Sequence, residues 1–389
     1  MIDRNLTPLL KEAARQYPVV LLTGPRQSGK TTLCQATFPD RAYVTLEPLD
    51  QRESAIRDPR GFLEEYRAGA IIDEVQQAPD LLSYLQEEVD RDASPGRFIL
   101  TGSQHFGLTA QVAQSLAGRC AVLTLLPPSL DELRRFPAPP GDLLTTLWMG
   151  AYPRIHDRGI PAQRWLSDYL TTYVQRDVRQ VLNIGDLLGF TDFVRLCAGR
   201  SAQEINLSRL GGDAGVSHNT ARQWLSVLEA GYLIQRLPAW HTNQRKQIVK
   251  APKLHFIDSG LACHLLDIRE PDQIRHHPLR GALFESWVAA EALKRQAHAG
   301  LPQRLYHYRE SRGLEVDLLI EEAGRRIAIE SKSGATIASD FFAPLEKLSA
   351  IFPGIRAGIV YGGDAVHRRD DMMAVPWDRM PRLLEGDSA

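Results

Sequence analysis

Gly24-Pro25-Arg26-Gln27-Ser28-Gly29-Lys30-Thr31 matches the pattern G-x-x-x-x-G-K-[ST] in full, and Thr32 follows it. An apolar run, Val19 to Leu22, leads in as a short buried strand, and Thr31-Thr32-Leu33-Cys34 leads out as the start of a helix. That strand–loop–helix setting is the one in which the pattern cradles phosphate. The glycines let backbone N–H groups turn inward, and the helix N-terminus adds its positive end. Lys30 can then reach the β- and γ-phosphates, and the Thr31 hydroxyl can hold Mg²⁺. Residues Gly24 to Thr32 therefore read as a site for a nucleoside triphosphate with Mg²⁺.

Working outward, Ala42–Leu46 reads as a second strand, and Pro59-Arg60-Gly61 as a break before an amphipathic stretch from Phe62 to Arg67. Ala70-Ile71-Ile72-Asp73-Glu74 is an apolar strand that ends in two acids. Downstream of a phosphate loop, the first acid suits the metal and the second suits the base that deprotonates water. Asp73 is thus the metal-associated residue and Glu74 the catalytic base. Arg97-Phe98-Ile99-Leu100 ends in Thr101-Gly102-Ser103-Gln104, where Ser103 or Gln104 would lie beside the γ-phosphate. Ser115-Leu116-Ala117-Gly118-Arg119 places an arginine between a helix and the strand Cys120–Leu125. Arg119 can complete a neighbour's site as a transition-state cation, or simply cap a helix C-terminus on the surface. No N/T-K-x-D segment, the guanine-reading pattern, accompanies these elements, so ATP is the expected nucleotide.

These residues together resemble the AAA+ ATPases. The resemblance is to the prokaryotic branch with G-P-R-Q-x-G-K-T-T-L, I-I-D-E-V-Q, L-T-G-S and S-L-A-G-R motifs, here at Gly24–Leu33, Ile71–Gln76, Leu100–Ser103 and Ser115–Arg119. It implies ATP hydrolysis with Lys30, Glu74, Ser103 and Arg119 in catalytic roles, self-association into a homo-oligomer, and a downstream domain of unknown function.

The chain has 389 residues, too many for one typical core. With 43% hydrophobic and 24% charged residues it has the composition of an ordinary globular protein. The net charge of −1 leaves any nucleic-acid surface to a local patch. Cys34, Cys120, Cys197 and Cys263 lie far apart, which argues against a zinc site or a disulfide scaffold. No apolar run approaches membrane-spanning length and Met1-Ile2-Asp3-Arg4 opens no signal core, so a cytoplasmic protein is expected.

Proline clusters at Leu126-Pro127-Pro128 and Phe136–Gly141 place the end of the ATPase core near residue 142. Residues 143–200 read as a helical connector, with Trp165, Leu166, Tyr169, Leu170, Tyr173 and Val174 forming one apolar stripe. Tyr173–Asp177 also matches the family's Y-x-x-R-D-V segment.

Residues 201–270 read as a winged helix. Asn206 caps a short helix, Gly215-Val216 turns, Ser217 caps a helix from His218 to Ala230, and Gly231 closes it. Strands Tyr232–Pro238 and Lys253–Ile257 follow, separated by a basic loop. Over 195–255 nine basic residues stand against three acidic ones, an excess of +6. His218, Asn219, Arg222 and Gln223 would face a DNA groove, and Arg245 and Lys246 would meet phosphates. The same module can instead dock a protein partner or serve as an ATPase lid.

Residues 271–389 open with a helix carrying Leu283, Phe284, Trp287, Val288 and Leu293 on its apolar face and Glu285 beside them. A strand Leu305–Arg309, a strand Leu314–Ile320 with Glu315 and Asp317, and a strand ending Glu330-Ser331-Lys332 follow. Alternation puts Glu330 and Lys332 on one face. The order Glu285, Asp317, Glu330, Lys332 resembles the PD-(D/E)XK nuclease fold, with Val316 where that motif has proline. The resemblance implies a Mg²⁺ site acting on a phosphodiester; a retained fold without cleavage is the other reading. The tail from Arg368 reads as polar and peripheral. The expected architecture is therefore α/β: a P-loop ATPase core with a parallel sheet (1–142), a helical connector and winged helix (143–200, 201–270), and an α/β nuclease-like domain (271–389).

Overall fold

The computed structural model describes residues 2–103, 112, 114–174, 186–241, 251–310, 313–322 and 324–385. β1 (Val19–Thr23), β2 (Ala42–Thr45), β3 (Ala70–Asp73), β4 (Phe98–Thr101) and β5 (Cys120–Thr124) form a five-stranded sheet in the order β2-β3-β4-β1-β5. Every pairing is parallel. β1, β3 and β4 are buried at every position, which is why they read as unbroken apolar runs. Their alternating residues feed two cores. Val19, Leu21, Ile72 and Leu100 pack toward the Leu81–Arg91 helix; Val20, Leu22, Ile71 and Ile99 pack toward Leu6, Leu10 and Leu33. Pro59-Arg60-Gly61 does not break the chain. Pro59 sits in the first turn of a helix, Pro59–Glu65, and Asp58 caps it by accepting from the Gly61 N–H.

Helices Leu143–Met149, Pro153–Arg158, Ala162–Tyr173 and Leu187–Ala198 build the connector. Tyr152, Trp165, Tyr169 and Tyr173 stack along it as a run of buried rings. The remainder of the Y-x-x-R-D-V segment lies outside the described residues. Next come helices Leu207–Asp213 and His218–Ala230, joined through Gly215 in the left-handed region (φ 68). Asn206 and Ser217 cap them, accepting from the Arg209 and Thr220 N–H groups. β6 (Gln203–Glu204), β7 (Ile234–Leu237) and β8 (Lys253–Phe256) form an antiparallel sheet in the order β6-β8-β7.

Gly231 does not take the left-handed cap conformation expected of it. Its φ is −76, and Tyr232 turns left-handed instead (φ 58). The glycine is required by space: a Cβ there would lie 2.4 Å from the Tyr173 hydroxyl.

After the long helix Arg280–His298 come β9 (Leu305–Arg309), β10 (Glu315–Glu322), β11 (Arg325–Lys332), β12 (Arg356–Tyr361), β13 (His367–Arg369) and β14 (Met372–Pro376). They form a mixed six-stranded sheet in the order β13-β14-β12-β11-β10-β9. The tail is not peripheral as its polarity suggested. β14 pairs with β12, and Val375, Met380, Leu383 and Leu384 enter the core, because a short apolar stretch is hidden between charged residues. That core runs continuously from Leu126 through the connector and the helix pair to Leu384. No helix among the described residues is long and apolar enough to cross a membrane.

Candidate functional site

The phosphate loop joins the carboxyl end of β1 to the helix Lys30–Thr37, at the strand ends where open parallel sheets place ligands. Gly24 (φ 141) is fixed by a close approach, since a Cβ there would fall 2.2 Å from the Leu125 carbonyl oxygen. Gln27 (φ 62) and Gly29 (φ 95) supply the left-handed turns. Lys30 is only 7% exposed, and its Nζ donates to the carbonyls of Gly24 at 3.1 Å and Pro25 at 2.8 Å. Burial pulls its pKa down to about 8, against the opposing pull of Glu74 and Asp73. A buried ammonium whose partners are neutral carbonyls suits an incoming anion.

Thr31 Oγ1 donates to the Asp73 carboxylate, 3.0 and 3.1 Å from its two oxygens. Asp73 also accepts from the Tyr43 hydroxyl at 3.0 Å and from Thr101 Oγ1. Hard oxygen donors facing each other at the end of a phosphate loop fit Mg²⁺. Glu74 follows in a left-handed conformation (φ 58), which turns it away from the strand line. Gln76 Nε2 donates to Glu74 Oε2 and to Ser103 Oγ at 3.1 Å, tying the expected base to the expected sensor. The surrounding cavity of about 670 Å³ is lined by the loop, Glu74, Arg4, Lys11, Arg154 and Arg158.

Arg119 stands elsewhere. Its carbonyl accepts from the Val19 N–H, at the end of β1 opposite the phosphate loop. Its guanidinium pairs with Asp90 at 2.5 Å on the surface of the same chain. It lies a strand's length from its own loop, and its Nη1 also donates to the Ala117 carbonyl at 3.2 Å, at the end of the preceding helix.

In the C-terminal part the antiparallel β10–β11 pairing brings Asp317, Glu330 and Lys332 together, and Glu285 joins them from the Arg280–His298 helix through Lys253. Lys332 Nζ lies 2.8 Å from Glu330 Oε2, and the Ser331 N–H donates to Asp317 Oδ2 at 2.8 Å. A fifth residue joins them. Lys253 of β8, 2% exposed, puts its Nζ 2.8 Å from Glu285 Oε1, 2.7 Å from Glu315 Oε1 and 3.9 Å from Asp317 Oδ1. Burial, then the charge of Asp317, pushes Glu285 up to about 8 and Glu330 up to about 7; burial also raises Asp317. The pull of Glu285 and Asp317 outweighs burial at Lys253 and keeps it charged. Among the described residues no group of three or more His, Cys, Asp or Glu side chains is disposed to hold a metal ion.

His218, Asn219, Arg222 and Gln223 are exposed along one helix, together with Arg209 on the preceding one. Arg245 and Lys246 lie outside the described residues. The basic excess is not one patch, however. Arg195 pairs with Asp192, Arg200 with Asp213 and Arg236 with Glu229, and Lys253 is buried among carboxylates.

Sequence reasoning missed Arg4, Tyr43, Gln76, Arg154, Arg158 and Lys253 as site residues. Only Gln76 carried a signal, as the last residue of I-I-D-E-V-Q; the others reach their sites through tertiary contacts.

Residues 16–134 match the family model described as "AAA domain". Residues 141–272 and 280–380 match two models described as domains of unknown function, DUF8612 and DUF4143. The chain is 30% identical to the uncharacterized protein Rv2008c of Mycobacterium tuberculosis and to the uncharacterized protein Mb2031c of Mycobacterium bovis. Each alignment spans 97% of this chain and 84% of the relative. Among solved structures, the Walker-type ATPase PABY2304 of Pyrococcus abyssi is similar with a TM-score of 0.46 at 15% identity, over 68% of this chain and 96% of that one. RuvB of Thermotoga maritima is similar with a TM-score of 0.31 at 19% identity, over 61% and 90%.

Proposed function

The chain belongs to one family with the two mycobacterial proteins, and on that premise we propose that it is a Mg²⁺-dependent ATPase acting on, or regulated by, DNA. Its N-terminal part is an AAA-type ATPase domain. The observation that carries the proposal is that Lys30, Thr31 and Glu74 line one cavity at the carboxyl ends of β1 and β3, with Asp73 hydrogen-bonded to the Thr31 hydroxyl beside it. Lys30 exchanges its two carbonyl partners for phosphate oxygens. Thr31 and Asp73 would hold Mg²⁺, which would neutralise charge on the phosphates. Glu74 takes a proton from the attacking water as its oxygen bonds to the γ-phosphorus; the bond to the β-γ bridging oxygen breaks and ADP leaves with those electrons. Ser103, tied through Gln76, reports on the γ-phosphate. Arg119 of a neighbouring copy supplies the transition-state cation, which makes the active form a homo-oligomer.

The helix pair and β6–β8 act as a winged helix, with His218, Asn219 and Arg222 toward DNA; the basic side chains of Arg245 and Lys246 would add phosphate contacts. ATP turnover with and without duplex DNA, followed by a gel of that DNA, tests the proposal: turnover stimulated by DNA supports it, and absent turnover refutes it.

A second reading is an ATP-driven switch whose winged helix and C-terminal domain dock proteins without cleaving DNA. One observation favours it over nuclease action at Glu285, Asp317, Glu330 and Lys332. Lys253 already supplies a cation among these carboxylates.

A further inference from the structure

Arg4 lies ahead of the first helix, outside every motif, yet it is 7% exposed and lines the nucleotide cavity. Its guanidinium makes three bonds in three directions. Nη1 donates to the Ser28 carbonyl at 2.8 Å, Nη2 to the Leu126 carbonyl at 2.7 Å, and Nε to Glu132 Oε1 at 3.0 Å. The first bond has a geometric consequence for the loop. A peptide unit is planar and trans, so its C=O and N–H point opposite ways. Holding the Ser28 carbonyl toward Arg4 aims the Gly29 N–H away from it, and that N–H is among the donors a phosphate loop offers.

The far side of the brace, still within the ATPase domain, meets another domain. Glu132 is fully buried and also accepts from the Asn5 N–H at 2.6 Å and the Ser129 N–H at 2.9 Å. The helix Arg280–His298 packs against this junction. Glu291 Oε2 accepts from the Leu130 N–H at 2.8 Å, Lys294 Nζ donates to the Pro128 carbonyl at 3.1 Å, and His298 Nδ1 lies 3.5 Å from Glu132 Oε2. The same helix carries Glu285 of the C-terminal cluster. A line of buried and half-buried polar contacts thus runs from the apex of the phosphate loop, through Arg4, Glu132 and the Ser129–Leu130 backbone, to the C-terminal domain.

We propose that Arg4 is a positioning residue of the nucleotide site, and that through Glu132 it couples the phosphate loop to the Arg280–His298 helix. The proposal rests on the reading of Gly24–Thr31 as a nucleotide site. Lysine is no substitute, because one ammonium cannot span three acceptors as the planar fork does.

The test compares full-length wild type with Arg4→Lys in three measurements: amide hydrogen exchange without nucleotide and with saturating MgADP, affinity for a fluorescent ADP analogue, and ATP turnover. In Arg4→Lys the loop 24–31 exchanges faster without nucleotide and ADP affinity falls roughly tenfold or more. Its kcat drops about 10²-fold, more than KM changes. In wild type, MgADP slows exchange in the Arg280–His298 helix, and Arg4→Lys abolishes that slowing while its loop still responds. Unchanged exchange and affinity in Arg4→Lys overturn the positioning role; a helix indifferent to MgADP in wild type overturns the coupling. If Arg4→Lys does not fold, Glu132→Gln carries the same comparison with a smaller effect in the same direction. Wild type that binds ADP but never hydrolyses ATP strikes the ATPase reading alone, since exchange and affinity need no turnover.

Discussion

Thr31 and Asp73 face each other at the ends of the phosphate loop and β3, with the threonine hydroxyl 3.0 Å from the nearer carboxylate oxygen. Tyr43 and Thr101 donate to the same carboxylate from the ends of β2 and β4. Asp73 is therefore fixed in direction before any ligand arrives, whereas the Glu74 side chain, one residue on, accepts among the described residues from Gln76. Asp73→Asn should consequently weaken Mg²⁺-dependent nucleotide binding, while metal-free ADP binding changes little. Titrating ADP with and without Mg²⁺ measures the difference.

Arg119 serves another copy or none. Mixing Arg119→Ala protein, whose loop is intact, with Lys30→Ala protein, whose arginine is intact, should restore part of the turnover that each lacks. Arginine fingers contribute about 10³–10⁵ in rate where best measured, so partial rescue stands clear of background. A fully active monomer by light scattering contradicts it.

Gly231→Ala should cost about 1–3 kcal/mol, because its new Cβ meets the Tyr173 hydroxyl at 2.4 Å. The same substitution in a Tyr173→Phe background should cost less, as the clashing oxygen is gone. Urea midpoints of the four proteins measure this coupling.

Acid should destabilise the fold through its buried histidines. Burial pulls the pKa of His298 down to about 4, of His307 to about 4 and of His255 to about 3. Unfolded histidine titrates near 6.5, so below that pH the unfolded chain binds more protons than the folded one. The histidines' contribution is then full above about 6.5 and is lost as pH drops toward 4. His298→Gln should flatten the slope by up to roughly 3 kcal/mol over that window. Denaturant unfolding at pH 7.5, 6 and 5 reads it.

Lys253→Met leaves the half-buried carboxylates of Glu285, Glu315 and Asp317 without their cation and should destabilise the fold, by less than the about 3–5 kcal/mol of a fully buried pair. Added Mn²⁺, without nucleotide, should raise the thermal midpoint of this variant and leave that of wild type unchanged. A Mn²⁺-stabilised wild type would restore weight to the nuclease reading.

How much of this was legible in the sequence depends on where each residue's partners lie. The phosphate loop reads at once because eight contiguous residues set both turn and chemistry. Asp73 and Glu74 read because an apolar strand must end where its acids begin. Glu330 and Lys332 read through strand alternation, and Asp317 through the hairpin before them. Arg4 could not be read, since its three partners lie 24, 122 and 128 residues away. Lys253 was counted with a basic surface because nothing local shows that β8 turns it toward the Arg280–His298 helix. Gly231 misled for a different reason: a glycine after a helix signals a left-handed cap, but here close packing on Tyr173 demanded it.

The central claim is that Lys30, Thr31, Asp73 and Glu74 form one ATP-hydrolysing site, and the most direct test is Glu74→Gln. The substitution keeps the size and most of the polarity of the side chain but removes the base. The account predicts that the purified variant binds ATP with Mg²⁺ about as tightly as wild type while its turnover falls roughly 10²-fold or more. Wild-type turnover in Glu74→Gln, or no Mg²⁺-dependent turnover in wild type, contradicts it.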